Sequence, residues 1–254
     1  MGKILFRWSF EPIALFPSLE AHVMNLKPSH RSRLYAQWMV VPIVLLLAVN
    51  GSADSPHSVV SVKASNPVLH GLEVKTPLDD ERRWVSLRGP SLYSAPGRSE
   101  KESAPTYLTW YQIRKPKPEP VKEIVLGDTF SGTKSFSLTL GAPAYYLIPA
   151  QSIKDGPPTD IPENLNHFIA FRIIDVDSVE LPEPTPGKPA FVCVPAEEWH
   201  HADHSPIKSE KTWFMVYETQ AQPAAAKVTT IDQFGLNALT IDEKQFVYVP
   251  AKPE

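Results

Sequence analysis

Three of the eight histidines in this 254-residue chain fall within the run Glu197-Glu198-Trp199-His200-His201-Ala202-Asp203-His204. Imidazoles and carboxylates so closely spaced are ligands for zinc or another borderline cation, and a short turn after Pro195 would bring His200 and His204 to one face. The candidate metal ligands are therefore His200, His201, Asp203 and His204. Against a metal centre, His-Glu-x-x-His is absent, no distant fourth ligand stands out, and the run falls in a connection where histidines are ordinarily solvated. A metal-binding protein or a metal-dependent hydrolase using the His200–His204 cluster is the alternative reading.

The other chemistry-bearing groups point to structure. Gly127-Asp-Thr-Phe-Ser-Gly132-Thr-Lys134-Ser135 comes within one residue of a phosphate-binding loop. The extra threonine spoils the spacing, and the strand pattern Phe136-Ser-Leu-Thr-Leu140 follows where a helix should cradle phosphate, so a hairpin turn is expected. Asp175 and Asp177 lack the glycine and terminal glutamate of a calcium loop. No Gly-x-Ser-x-Gly elbow exists, and the single cysteine, Cys193, sits inside an apolar run where a thiolate is disfavoured. Trp110, Tyr111, Trp199, Trp213 and Tyr217 could form a sugar-binding platform, although aromatic residues in strands ordinarily belong to a core. No catalytic residue and no cofactor is assigned, and the chain is expected not to be an enzyme.

The elements that must position these groups recur. Pro90-Ser-Leu-Tyr-Ser-Ala-Pro96, Pro143-Ala-Tyr-Tyr-Leu-Ile-Pro149, Pro189-Ala-Phe-Val-Cys-Val-Pro195 and Lys244-Gln-Phe-Val-Tyr-Val-Pro250 each close an apolar run on proline, where the strand is expected to end. A period of roughly fifty residues is the mark of a repeat architecture. Three opening runs align as well, Tyr107–Ile113, His167–Ile173 and Trp213–Thr219, with an aromatic residue at 111, 171 and 217; Val59–Val62 is a weaker opener. Between opener and tail, Ile124–Phe130 resembles Val228–Phe234, and Asp128 and Asp232 are placed in turns where a carboxylate accepts local backbone N–H groups. The unit containing His167 carries Leu181-Pro-Glu-Pro-Thr-Pro-Gly187 where a strand should be, so it is read as degenerate, an exposed edge.

The order of opener, Asp232-Gln-Phe-Gly235 and proline-terminated tail resembles an uncharacterised repeat domain of secreted bacterial proteins. Its opener reads His-Phe-x-Cys-Tyr and its tail Leu-Cys-x-Pro, and His167-Phe168 and Val192-Cys193-Val-Pro195 match best. The resemblance covers roughly residues 57 to 254 and implies no activity. Where the family's opener has cysteine this chain has Thr109, Ala170 and Val216. If the family's two cysteines pair, Cys193 has lost a partner opposite Ala170 and acts as a small buried apolar residue.

At the N-terminus, Trp38–Val49 is a short apolar run preceded by Lys27, Arg31 and Arg33 and followed by Gly51-Ser52-Ala53, the pattern of a secretory signal helix cut after Ala53. The run is shorter than the span of about 18 residues a membrane helix needs and contains Pro42, so an uncleaved anchor is the alternative. Residues 1–23 precede a second start at Met24 and suggest an over-extended beginning. Without residues 1–53 the chain keeps 20 basic and 26 acidic side chains, a balance against nucleic acid, whose binders need a basic stripe. The expected fold is all-β, with tandem units of antiparallel strands at 54–105, 106–160, 161–211 and 212–254 packed as sandwich or barrel, closing separately or exchanging strands. The expected role is an exported structural or binding module of the cell envelope or extracellular space. It would meet a protein or glycan partner and touch a membrane only through its signal segment.

Overall fold

The computed structural model describes residues 57–65, 69–95, 107–116, 120–131, 134–153, 158–177 and 186–254. The signal segment expected at 1–53 lies outside these residues, as do Pro96, the polyproline positions 117–119, Gly132, Thr133 and the proline-rich run at 181–185. The described residues form twelve strands and no helix. These are β1 (His57–Ala64), β2 (Leu69–Lys75), β3 (Arg83–Ala95), β4 (Leu108–Ile113), β5 (Lys122–Asp128) and β6 (Ser135–Pro149), then β7 (Gln151–Ile153), β8 (His167–Val176), β9 (Pro189–His200), β10 (Asp203–Ser205), β11 (Trp213–Asp232) and β12 (Gly235–Pro253).

Eight of these strands close into a ring. β1 pairs with β3, β3 with β4, β4 with β6, β6 with β8, β8 with β9, β9 with β11, β11 with β12, and β12 returns to β1, every pairing antiparallel. Of the two packings expected from the sequence, the barrel is the one formed. Side chains alternate between faces along a strand, and the register sends one parity inward from all eight strands. Val59, Leu92, Trp110, Leu147, Phe168, Cys193, Val216 and Tyr248 belong to this inner cluster. A barrel of eight strands is just wide enough for side chains to fill it, and Trp110 donates its indole N–H to Ser94 Oγ at 3.3 Å inside the packing.

The outward parity is apolar too, and three hairpins bury it. β2 pairs with the first half of β3, β5 with the first half of β6, and the second half of β11 with the first half of β12. Leu72, Val85, Leu126 and Phe136 from the first two hairpins join Tyr111, Ile169, Met215 and Val249 from the barrel's outer face in one cluster. Leu239 of the third hairpin packs with Val62 and Tyr93 over β1 and β3. Long strands thus serve twice, with one half in the barrel and the other in a hairpin folded back over it.

The repeated prolines mark the handover between those halves. Pro90 lies between Arg88, where β2 stops pairing, and Leu92, where β1 begins. Pro195 lies between Cys193, the last partner on β11 at that end, and Glu197, the first on β2. Pro250 falls between the β1 partner Tyr248 and the β5 partner Ala251. A residue without an N–H is tolerated where one flank has no ladder, so β9 runs past Pro195 to His200 and β12 past Pro250 to Pro253. β6 ends at Pro149 as expected, whereas at Pro195 and Pro250 the expected strand end is corrected to a change of neighbour. The unit around His167 is no edge either: β8 is flanked by β6 and β9, and β9 by β8 and β11.

Candidate functional site

The hairpin tips gather buried carboxylates. Asp128 Oδ1 accepts the backbone N–H groups of Phe130 at 3.0 Å and Ser131 at 2.7 Å, and Asp232 Oδ1 accepts that of Phe234 at 2.9 Å, the turn roles expected from the sequence. Their second oxygens reach across the fold. The Tyr217 hydroxyl donates to Asp128 Oδ2, and the Tyr111 hydroxyl donates to Asp232 Oδ2 at 2.9 Å, where Asn237 Nδ2 adds a bond of 3.1 Å. Each tip therefore caps the opening strand of the other repeat. Burial and the neighbouring carboxylate raise the pKa of both phenols, and burial raises that of the Asp232 carboxyl against the hydrogen bonds that lower it. At the β2–β3 tip, Asp79 accepts the Thr76 N–H at 3.0 Å and pairs with Arg83 and Lys122, whose cationic groups sit 5.6 Å and 5.1 Å from the Phe171 ring. Phe171 has no hydroxyl to give, and its ring face meets cations instead.

Glu198 is the third buried acid. The Tyr146 hydroxyl donates to it, Gln233 Nε2 lies 2.7 Å and 2.8 Å from its two oxygens, and His167 Nδ1 is 3.4 Å away. Burial lowers the His167 pKa, Glu198 opposes that and Lys208 adds to it. Burial, then Glu198, pushes the Tyr146 phenol well up. The 232–235 turn thus inserts three consecutive side chains: Asp232 to Tyr111, Gln233 to Glu198, and Phe234 stacked 3.9 Å from His70 and edge-on to Tyr111 and His200. These acids and phenols lock the tips onto the barrel.

The histidine run lies in regular structure. β9 continues through it and turns back as β10, pairing His200 with Asp203 and Trp199 with His204, with His201 at a positive φ of 56° in the turn. Directly paired residues share a face and successive residues alternate, so His200 and His204 point to opposite faces, which corrects the expectation of one. His200 meets His201 at a ring separation of 4.3 Å, whereas His204 stacks on Trp199 at 4.6 Å and lies 3.6 Å from Glu197. Among the described residues no three of His, Cys, Asp and Glu are placed to hold a metal ion. Cys193 is buried opposite Ala170, and burial raises its thiol pKa. Trp110, not Thr109, is the inward equivalent of Ala170 and Val216, since each immediately precedes the aromatic position of its opener.

The aromatic residues divide. Trp110, Tyr111, Trp213 and Tyr217 are core, so of the five proposed as a platform only Trp199 reaches the surface. A second tryptophan joins it, one that the sequence reasoning missed. Trp84 pairs with Glu73, Glu73 with Trp199, and Trp199 with His204, so these four residues form one row on one face across β3, β2, β9 and β10. The signal was the alternation Trp84-Val85-Ser86-Leu87, in which the aliphatic pair faces the barrel and Trp84 therefore faces solvent. Beside the row lies an open cleft of about 540 Å³ lined by Lys75, Asp80, Glu81, Arg82, Glu197 and Trp199. Arg82 lies 3.9 Å over the Trp199 ring and 3.8 Å from Glu73 Oε2.

A family model described as a repeat of unknown function (DUF7450) matches residues 107–250. No curated protein and no solved structure matches the chain.

Proposed function

The chain belongs to the DUF7450 repeat family, and from that premise we propose that it is a non-enzymatic binding module that presents the β3–β2–β9–β10 face to a partner. The observation that carries this reading is how the polar groups are divided. Asp128, Asp232 and Glu198 are consumed in holding hairpin tips, while aromatic and charged side chains left accessible collect along Trp84, Glu73, Trp199 and His204. Delivery to the cell envelope or beyond rests on the apolar run Trp38–Val49 and the cut after Ala53.

Binding is tested by following the indole N–H resonances of Trp84 and Trp199 while the protein is titrated with oligosaccharides, peptides and solubilised envelope material. Perturbation confined to those two indoles is the expected result. Hydrolytic turnover that His200→Ala abolishes, or perturbation of other regions only, would count decisively against it.

A further inference from the structure

We infer that the row from Trp84 to Trp199 binds a neutral, extended β-1,4-linked glycan. The inference deepens the binding-module reading and rests on it. Its first support is the attitude of Trp84. A Cβ on Gly71 would lie 2.4 Å from one atom of the indole and 3.2 Å from two more. The Cζ2 edge of the ring is therefore seated over Gly71, in the space that glycine leaves open. Trp84 is nonetheless 65% exposed, so most of the indole beyond that edge is open to solvent. A single exposed apolar residue needs no explanation, but an indole seated by its edge in the gap above a glycine holds a planar surface in one place. The C–H face of a pyranose stacks on such a surface.

The second support is what surrounds the ring. Glu73 separates the two tryptophans in the row, so they stand two interstrand spacings apart, roughly 9.5 Å, the reach of two linked sugar rings. A flat β-1,4 ribbon leaving Trp84 would cross Glu73 and enter the cleft beside Trp199. That cleft offers the donors Lys75 and Arg82 with the acceptors Asp80, Glu81 and Glu197. Sugar hydroxyls donate and accept, and match such a mixed lining. A polyanion would meet three carboxylates, and a polycation would leave Lys75 and Arg82 unmatched. The exposed apolar area is that of Trp84 and Leu69, at 65% and 60% exposure, with Trp199 only partly accessible beneath Arg82 and His204, too little for a protein partner's hydrophobic core.

The test titrates the full chain with cellohexaose and chitohexaose, with polygalacturonate and an oligolysine as charged controls. Tryptophan fluorescence and the Trp84 indole resonance are the readouts. The expected result is saturable binding of at least one neutral hexasaccharide, weakened about tenfold or more by Trp84→Ala. Gly71→Ala, whose Cβ would displace the indole edge, should weaken it too while leaving the urea midpoint of unfolding close to that of the parent. Silence towards both neutral hexasaccharides, or binding that Trp84→Ala leaves intact, overturns the inference. A response at Trp84 to oligolysine, polygalacturonate or peptides alone overturns the glycan assignment yet keeps the binding-module reading, whereas turnover abolished by His200→Ala removes both.

Discussion

Tyr217 reaches a carboxylate 89 positions away in sequence and Tyr111 one 121 positions away, so single hydroxyl groups tie the repeats together. Removing one leaves a buried acceptor without its partner, which costs about 1–3 kcal/mol, more than the net worth of an ordinary hydrogen bond. Tyr217→Phe should therefore lower stability by about that amount in urea denaturation. Tyr111→Phe should cost less, because Asn237 still donates to Asp232 Oδ2 at 3.1 Å. A second consequence concerns pH. Burial holds the His167 pKa below its ordinary value, although Glu198 at 3.4 Å favours the imidazolium. A depressed folded-state pKa contributes stability that is complete above the unfolded value of about 6.5 and is lost as pH falls through the folded one. Asp232, whose pKa burial raises, acts in the opposite sense, contributing most below the unfolded carboxyl pKa of about 3.9 and losing it as pH rises. The urea midpoint should fall between pH 7 and pH 5, and His167→Gln should flatten that fall by removing the imidazole contribution alone. An unchanged slope in the variant would assign the fall to other groups.

The hairpin tip is the element that turns a repeat into an interlocked fold, and Gly235 shapes the most elaborate of the tips. Its φ is 111°, and an added Cβ would meet nothing within 4 Å. The cost of Gly235→Ala is therefore one of backbone conformation, about 1–2 kcal/mol. Because the same turn places Asp232, Gln233 and Phe234, the loss should also appear as faster amide exchange in residues 228–241, with the barrel strands β8 and β9 unaffected. Much at this scale was legible in the sequence. The recurrence of Ile124–Phe130 as Val228–Phe234 announced matching strands, and an Asp followed two residues later by Phe announced the turns. The partner of each tip was not legible, since alternation tells which face of a strand is buried and not which distant segment buries it. Trp84 was missed for the same reason: it follows the charged run Asp79–Arg83, and only the register of β3, β2 and β9 sets it in a row with Trp199. His200 and His204 misled because a short turn after Pro195 was expected to bring them to one face, whereas β9 runs on to His200 and pairs with β10 in a hairpin that sets them on opposite faces.

At the scale of the whole molecule, the barrel is completed only when β12, near the end of the chain, pairs with β1, the first of the described strands. The match to the repeat family starts at residue 107 and so excludes β1, β2 and β3. Repeats in tandem arrays normally need only their neighbours, but here three strands outside the match are structural necessities. Without them β4 loses β3 along one whole flank, β12 loses β1, and Trp110 and Tyr248, both buried at 1% exposure or less, line an open cleft. The unpaired edges would also invite association. A fragment spanning residues 107–254 should therefore lack a cooperative urea transition and near-ultraviolet circular dichroism, bind a hydrophobic dye, and associate with concentration. The chain from residue 54 onward should unfold in one sharp step, as a single closed core does. Supplying residues 54–105 as a separate peptide should restore that step to the fragment, because β1 and β3 bring the missing ladders whether or not they are covalently joined. A sharp, concentration-independent transition in the fragment alone would mean that six strands close without the first pair, and that the family match is the folding unit.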